Sequence, residues 1–212
     1  MKTVLSFALL FSLTFSLSAQ NMLNLYVGLS GGHTATGTSQ GESPHVGVGI
    51  NVAIGLERAL STRRSIAVAY RFEQIDYSVL IFSDYRLAKS HGVDLHYSFN
   101  MRAKWSGGFY LESGPVLSLT RERAHWIYDD FRETAKGNNT IYYVGIGGDF
   151  SSGWRWKNMA LGYGIQVRYD IPTEASNRIF YDIGRISAPE SKELSPKPLF
   201  NVQLHVHISL QI

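Results

Sequence analysis

The stretch FNVQLHVHISLQI, residues 200–212, decides the fold. Phe200, Val202, Leu204, Val206, Ile208, Leu210 and Ile212 alternate with Asn201, Gln203, His205, His207, Ser209 and Gln211. Side chains of an extended strand point alternately to opposite faces, so this run reads as one strand with an apolar and a polar face. MALGYGIQVRYDI (159–171) and VGVGINVAIGL (46–56) repeat the pattern.

Working outward from these three, five weaker segments carry the same period. They are Leu23 to Ser30, Ile66 to Phe72, Val93 to Met101, Phe109 to Leu119 with an interruption at Ser113 and Pro115, and Tyr142 to Phe150 with one at Gly148. Eight strands follow. The links at 57–65, 103–107 and 151–158 read as short turns, and those at 31–45, 73–91, 120–140 and 172–197 as long polar loops. In an up-and-down meander alternate links share one end of the sheet, so one end carries the turns and the other every long loop. That asymmetry is the pattern of an outer-membrane barrel.

Volume decides which face looks outward. An eight-stranded barrel has an interior just wide enough to be filled by side chains, and the large apolar residues of eight strands overfill it. The opposite face is rich in small residues, among them Gly47, Gly49, Ala53, Gly55, Ala67, Ala69, Gly145, Gly147, Gly162 and Gly164. These suit a narrow lumen. The apolar face is therefore outside and in lipid, where a closed barrel satisfies every backbone group. Trp105, Trp154 and Trp156 fall at two of the short turns, the place of an interfacial aromatic girdle.

Composition agrees. Charged residues make up 17% of the 212, below the roughly 25% of soluble chains, while aromatics reach 13%. With a formal charge of +3 spread along the chain, nothing points to a nucleic-acid partner. The absence of cysteine excludes disulfides, thiolate metal sites and a cysteine nucleophile. Residues 1–19 pair an early cation, Lys2, with an apolar run and end in Leu17-Ser18-Ala19, which predicts a cleaved signal peptide and leaves 20–212 as one barrel domain.

Leader, eight alternating segments, loop asymmetry and a terminal strand together resemble the small outer-membrane β-barrel family that includes OmpX, the OmpA transmembrane domain and the PorT-like barrels. Ile212 stands where that family usually ends in an aromatic. The resemblance implies an all-β, eight-stranded antiparallel up-and-down transmembrane barrel in the outer membrane of a Gram-negative bacterium. Outer-membrane lipid, lipopolysaccharide, the outer-membrane assembly machinery and an unidentified surface or envelope protein are the implied partners. The implied role is non-enzymatic, in surface binding or envelope structure and assembly.

The polar face holds Glu57, Arg71, Glu73, Asp94, Arg102, Glu112, Asp149, Arg168 and Asp170, with His96, His205, His207 and Gln166. A lumenal network of ion pairs and hydrogen bonds is expected here, centred on Arg71, Asp94, His96, Arg102, Glu112, Gln166, Arg168 and His205. Counting residues up from the turns puts Arg71 and Glu112 at similar height, so the two are expected to pair, bridged by His96 or Ser98. No cofactor is implied. His205 and His207 share a face at i, i+2, but spacing assigns them no third ligand, and no metal site is expected. Gly145-Ile146-Gly147-Gly148 precedes no helix and is no phosphate loop.

A rival reading is enzymatic. His96-Tyr97-Ser98 resembles the His and Ser of outer-membrane lipid A deacylases, with Glu112 as third member orienting His96 to activate Ser98. Two features differ: Phe99 follows the Ser where that family has Asn, and His96 and Ser98 share the lumenal phase of Asp94 and Asn100. Among the long links, 120–140 carries the candidate binding residues Arg121, Arg123, Trp126 and Tyr128.

Overall fold

A computed structural model describes residues 21–38, 41–78, 85–102, 107–130, 133–173, 179–184, 190–194 and 198–212, with side chains at 21–32, 46–76, 87–101, 107–123, 125, 140–173 and 198–212. The predicted leader, Trp105 and the side chains of Arg102, Trp126 and Tyr128 lie outside these residues.

Strands β1 (Asn21–Thr38), β2 (Gly41–Ser61), β3 (Arg64–Ser78), β4 (Tyr85–Arg102), β5 (Gly108–Asp130), β6 (Glu133–Trp156) and β7 (Met159–Pro172) pair in chain order. β10 (Leu199–Gln211) then pairs with both β7 and β1 and closes the ring. Every pairing is antiparallel, so the product is a closed eight-stranded barrel. The short strands β8 (Ile179–Gly184) and β9 (Glu190–Leu194) form a hairpin that pairs with β6 at Thr134–Lys136.

Register follows the apolar alternation. Val27 lies opposite Val206 on one side and Val52 on the other, and all three point outward and are exposed. Their neighbours in sequence point inward: β7 alternates exposed and buried from Met159 to Asp170. A one-residue slip would turn every isoleucine of such a strand into the lumen, so the buried face specifies the register. Outward positions from Phe109 to Leu119 climb about 25 Å, at about 3.3 Å per residue on a strand tilted by about 40°. That matches the hydrocarbon-facing band of an outer-membrane barrel. Among the described residues no helix is long and apolar enough to cross a membrane; the crossing elements are strands.

The links differ from expectation. Two of the short ones, 57–65 and 151–158, are tighter, with strands meeting across the turns Thr62-Arg63 and Lys157-Asn158, while 103–106 lies outside the described residues. The segments expected as long loops are largely strand: β1 and β2 pair up to Thr38↔Gly41, β3 and β4 to Ser78↔Tyr85, and β5 and β6 to Asp130↔Glu133. Beyond the membrane a hairpin has water on both faces and needs no apolar side, so its sequence loses the alternation by which strands are recognised. Arg121 and Arg123 accordingly sit on the wall of β5, in register with Tyr142 and Thr140, and not in a loop. Near the turn end of β4 a bulge between Asn100 and Arg102 pairs Arg102 with Leu111. The alternation expected from the sequence runs straight through this point, which a bulge interrupts by one residue.

Candidate functional site

The lumen is the chemically dense part of the barrel. Arg71 on β3, buried to 1% exposure, spreads its guanidinium over three strands. Its Nε donates to Asp94 Oδ2 at 2.9 Å, Nη1 to Glu73 Oε2 at 2.7 Å, and Nη2 to Thr120 Oγ1 at 2.9 Å and Ser118 Oγ at 3.2 Å. Room for this comes from Gly92 on the facing strand, where a Cβ would stand 2.7 Å from Nη2. Arg168 on β7 donates through Nε to Asp170 Oδ1 at 2.7 Å and through Nη2 to Glu73 Oε2 at 3.3 Å. Gln203 Nε2 donates to Glu73 Oε1 at 2.8 Å, and Asn201 Nδ2 to Asp170 Oδ2 at 2.6 Å. Two guanidinium groups and three carboxylates thus interlock across the mid-lumen, the compensation that buried charge demands.

A second layer lies toward the turns. Tyr110 Oη and His207 Nε2 are 2.6 Å apart, and Tyr26 packs edge-on to His205 with ring centroids at 5.3 Å. Met22, Tyr110 and Ala160 form a fully buried cluster at this end. Arg155 donates to Gln211 Oε1 and to the Lys157 carbonyl. Gly162 and Gly164 face the imidazoles: a Cβ at Gly162 would stand 2.7 Å from His207 Nε2, and one at Gly164 would stand 2.5 Å from His205 Nε2. The lumenal glycines therefore clear space for rings.

In the same turn-end layer Glu112 accepts from Ser151 Oγ at 2.8 Å and Glu57, opposite Met22, accepts from Asn24 Nδ2 at 2.9 Å; above them His205 Nε2 stands 3.9 Å from Asp149 Oδ1. Gln166 is buried nearby on the inward face of β7. Among the described residues no three His, Asp or Glu side chains converge as a metal site.

The expected pairing of Arg71 with Glu112 is not what forms. Register places Arg71 opposite Gly92 and Gly92 opposite Thr120, whereas Glu112 lies opposite Asn100. The strands of a closed barrel are staggered by its shear, so residues equally far from their own turns are not neighbours. Arg71 takes Asp94 and Glu73 in place of Glu112. His96 and Ser98 lie opposite Ala67 and Ser65, in phase with the buried Asp94 and Asn100. Two roles are not legible in the sequence. Glu73 stands on the polar face with nothing to mark it as the acceptor shared by both arginines, and Tyr110, in phase with Glu112 two positions on, reads as one more aromatic of an interrupted strand.

On the outer wall Trp154 and Trp156 are exposed at the turn end, ring centroids 6.5 Å apart. At the other rim Lys89, His91, Arg121 and Arg123 are exposed above the apolar band.

A closed antiparallel barrel, apolar without and polar within, is the fold of the outer-membrane β-barrel proteins. Solved structures of that class are similar to this chain. The outer membrane protein OprG from Pseudomonas aeruginosa superposes with a TM-score of 0.55 at 8% identity, over 92% of this chain and 97% of OprG. The translocator domain of autotransporter NalP from Neisseria meningitidis gives a TM-score of 0.51 at 10% identity, over 100% of this chain and 96% of the domain. No protein-family model matches the sequence, and no curated protein matches it in sequence.

Proposed function

We propose that this protein is an integral, non-enzymatic component of the outer membrane of a Gram-negative bacterium. Its barrel anchors tall hairpins that bind a partner at the cell surface or contribute to envelope structure. The observation carrying this reading is the cross-lumen chain Arg71–Glu73–Arg168 inside a wall whose outer face is apolar: the lumen is spent on bracing, and the elements left free to meet other molecules are the projecting β5–β6 and β8–β9 hairpins. Insertion would proceed through the outer-membrane assembly machinery into a leaflet of lipopolysaccharide.

Fractionation and electrophoresis test the location. Recovery in the outer-membrane fraction with heat-modifiable migration is expected, and recovery of soluble monomer without detergent would overturn it. Purified protein in planar bilayers is expected to give no steady porin-like conductance. The rival hydrolase reading, with His96, Ser98 and Glu112 as a triad, predicts that Ser98→Ala abolishes lipid A deacylation. The present reading expects lipid A acylation to be the same with and without that substitution.

A further inference from the structure

The outer wall of β4 and β5 carries an arrangement that its own strands do not explain. Lys89 lies directly opposite Arg123, and His91 directly opposite Arg121. All four are exposed, while the intervening Ser90 and Glu122 are buried on the inward face. Like charges directly opposite one another destabilise an antiparallel pair. Among the described residues no carboxylate forms a salt bridge with Lys89, Arg121 or Arg123. Asp76, the outward carboxylate of β3, lies opposite Leu87 and is only diagonal to Lys89. His91 is fixed by Tyr70, whose hydroxyl is 2.6 Å from Nδ1.

The position of this cluster suggests what neutralises it. Immediately below, toward the membrane centre, the outward residues are Val93 and Leu95 on β4 and Leu117 and Leu119 on β5, all exposed. The four basic residues therefore occupy the first two outward positions on each strand beyond the apolar band, at headgroup height. Their Cα atoms outline a patch of about 5 Å by 7 Å, from the strand spacing and the two-residue repeat, so two cations reach one phosphate together. Guanidinium groups suit phosphate oxygens in bidentate geometry.

Resting on the outer-membrane reading above, we propose that Lys89, His91, Arg121 and Arg123 form a binding site for the phosphate groups of lipopolysaccharide in the surrounding leaflet. Its acyl chains run down the wall over Val93, Leu95, Leu117 and Leu119. One lipid molecule is thereby held by charge at the rim and by apolar contact below.

The test uses the full protein folded in detergent micelles, with retention of purified lipopolysaccharide read by native mass spectrometry. Wild type is expected to retain the phosphorylated lipid. Lys89→Gln with Arg121→Gln and Arg123→Gln is expected to weaken retention by about tenfold or more, since three charge-assisted contacts to phosphate are removed together. Arg63→Gln with Arg64→Gln and Lys157→Gln, which removes as many cations at the turn end, is expected to leave it unchanged. Equal retention by the rim variant, or equal retention of enzymatically dephosphorylated lipid, would overturn the proposal. So would displacement of the lipid by millimolar inorganic phosphate, which would make free phosphate the ligand. Heat-modifiable migration of each variant reports the barrel separately: a folded, membrane-inserted variant with undiminished retention sinks only the lipid site, whereas wild type recovered soluble from the periplasm sinks the outer-membrane reading.

Discussion

Glu73 on β3 and Arg168 on β7 meet across the lumen, Oε2 to Nη2 at 3.3 Å, although their strands stand diametrically opposite in the ring, four steps apart in either direction. Both side chains are about 1% exposed. With Arg71 bonded to the same carboxylate oxygen, the contact ties opposite walls together and fixes how the barrel cross-section closes.

Removing that carboxylate leaves two guanidinium groups short of an acceptor. Glu73→Gln keeps Arg71 on Asp94 and Arg168 on Asp170 but removes the charged acceptor the two share, and is expected to cost about 1.5–3 kcal/mol, the worth of hydrogen bonds to a charged group. Adding Arg168→Met should deepen the loss, because the buried Asp170 then loses its guanidinium partner. Urea unfolding of the barrel in lipid vesicles, followed by tryptophan fluorescence, measures both, and a loss below about 1 kcal/mol would contradict the bracing role.

Arg71 and Glu112 share no partner, so their substitutions should act independently. Arg71→Met and Glu112→Gln are expected to add within about 0.5 kcal/mol in a double-mutant cycle. Compensation between them would mean that the register-level separation fails to keep them apart. Glu112→Gln alone keeps an amide oxygen for Ser151 and should cost about 1 kcal/mol.

The aromatic layer depends on absent side chains. Gly162→Ala would push a methyl group against Tyr110 Oη and the His207 ring, both buried, and overpacking of this kind costs about 1–3 kcal/mol. Tyr110→Leu in the same chain should relieve part of it, because the hydroxyl is the nearer obstacle. Urea midpoints of the single and double variants decide the matter.

Depth in the membrane is testable on β7. Ile165 faces outward halfway between Met159 and Ile171, so Ile165→Arg should cost about 2–4 kcal/mol, whereas Ile171→Arg, at the rim, should cost about 0–1 kcal/mol. Equal costs at the two positions would contradict the placement of the apolar band.

Some of this was written in the chain. Phe200 to Ile212 and Met159 to Ile171 announce strands, the small residues opposite them announce a narrow lumen, and the side of each residue follows from parity alone. Period 2 is local, carried by the backbone whatever lies beside it. It fades where its cause fades: above the membrane β5 and β6 continue as strand while Arg121 to Thr140 reads as loop.

Pairing across the lumen belongs to the tertiary structure. Parity put Arg71, Glu73, Glu112 and Arg168 inside, but only the stagger between neighbouring strands, imposed by closing the ring, decided that Arg71 sits level with Thr120 and not with Glu112. The same closure carried Arg168 to Glu73 from 95 residues away and set Lys89 beside Arg123. Alternation is a property of each strand by itself, whereas height and neighbourhood are properties of the shear that all eight strands share, and no single segment of sequence contains them.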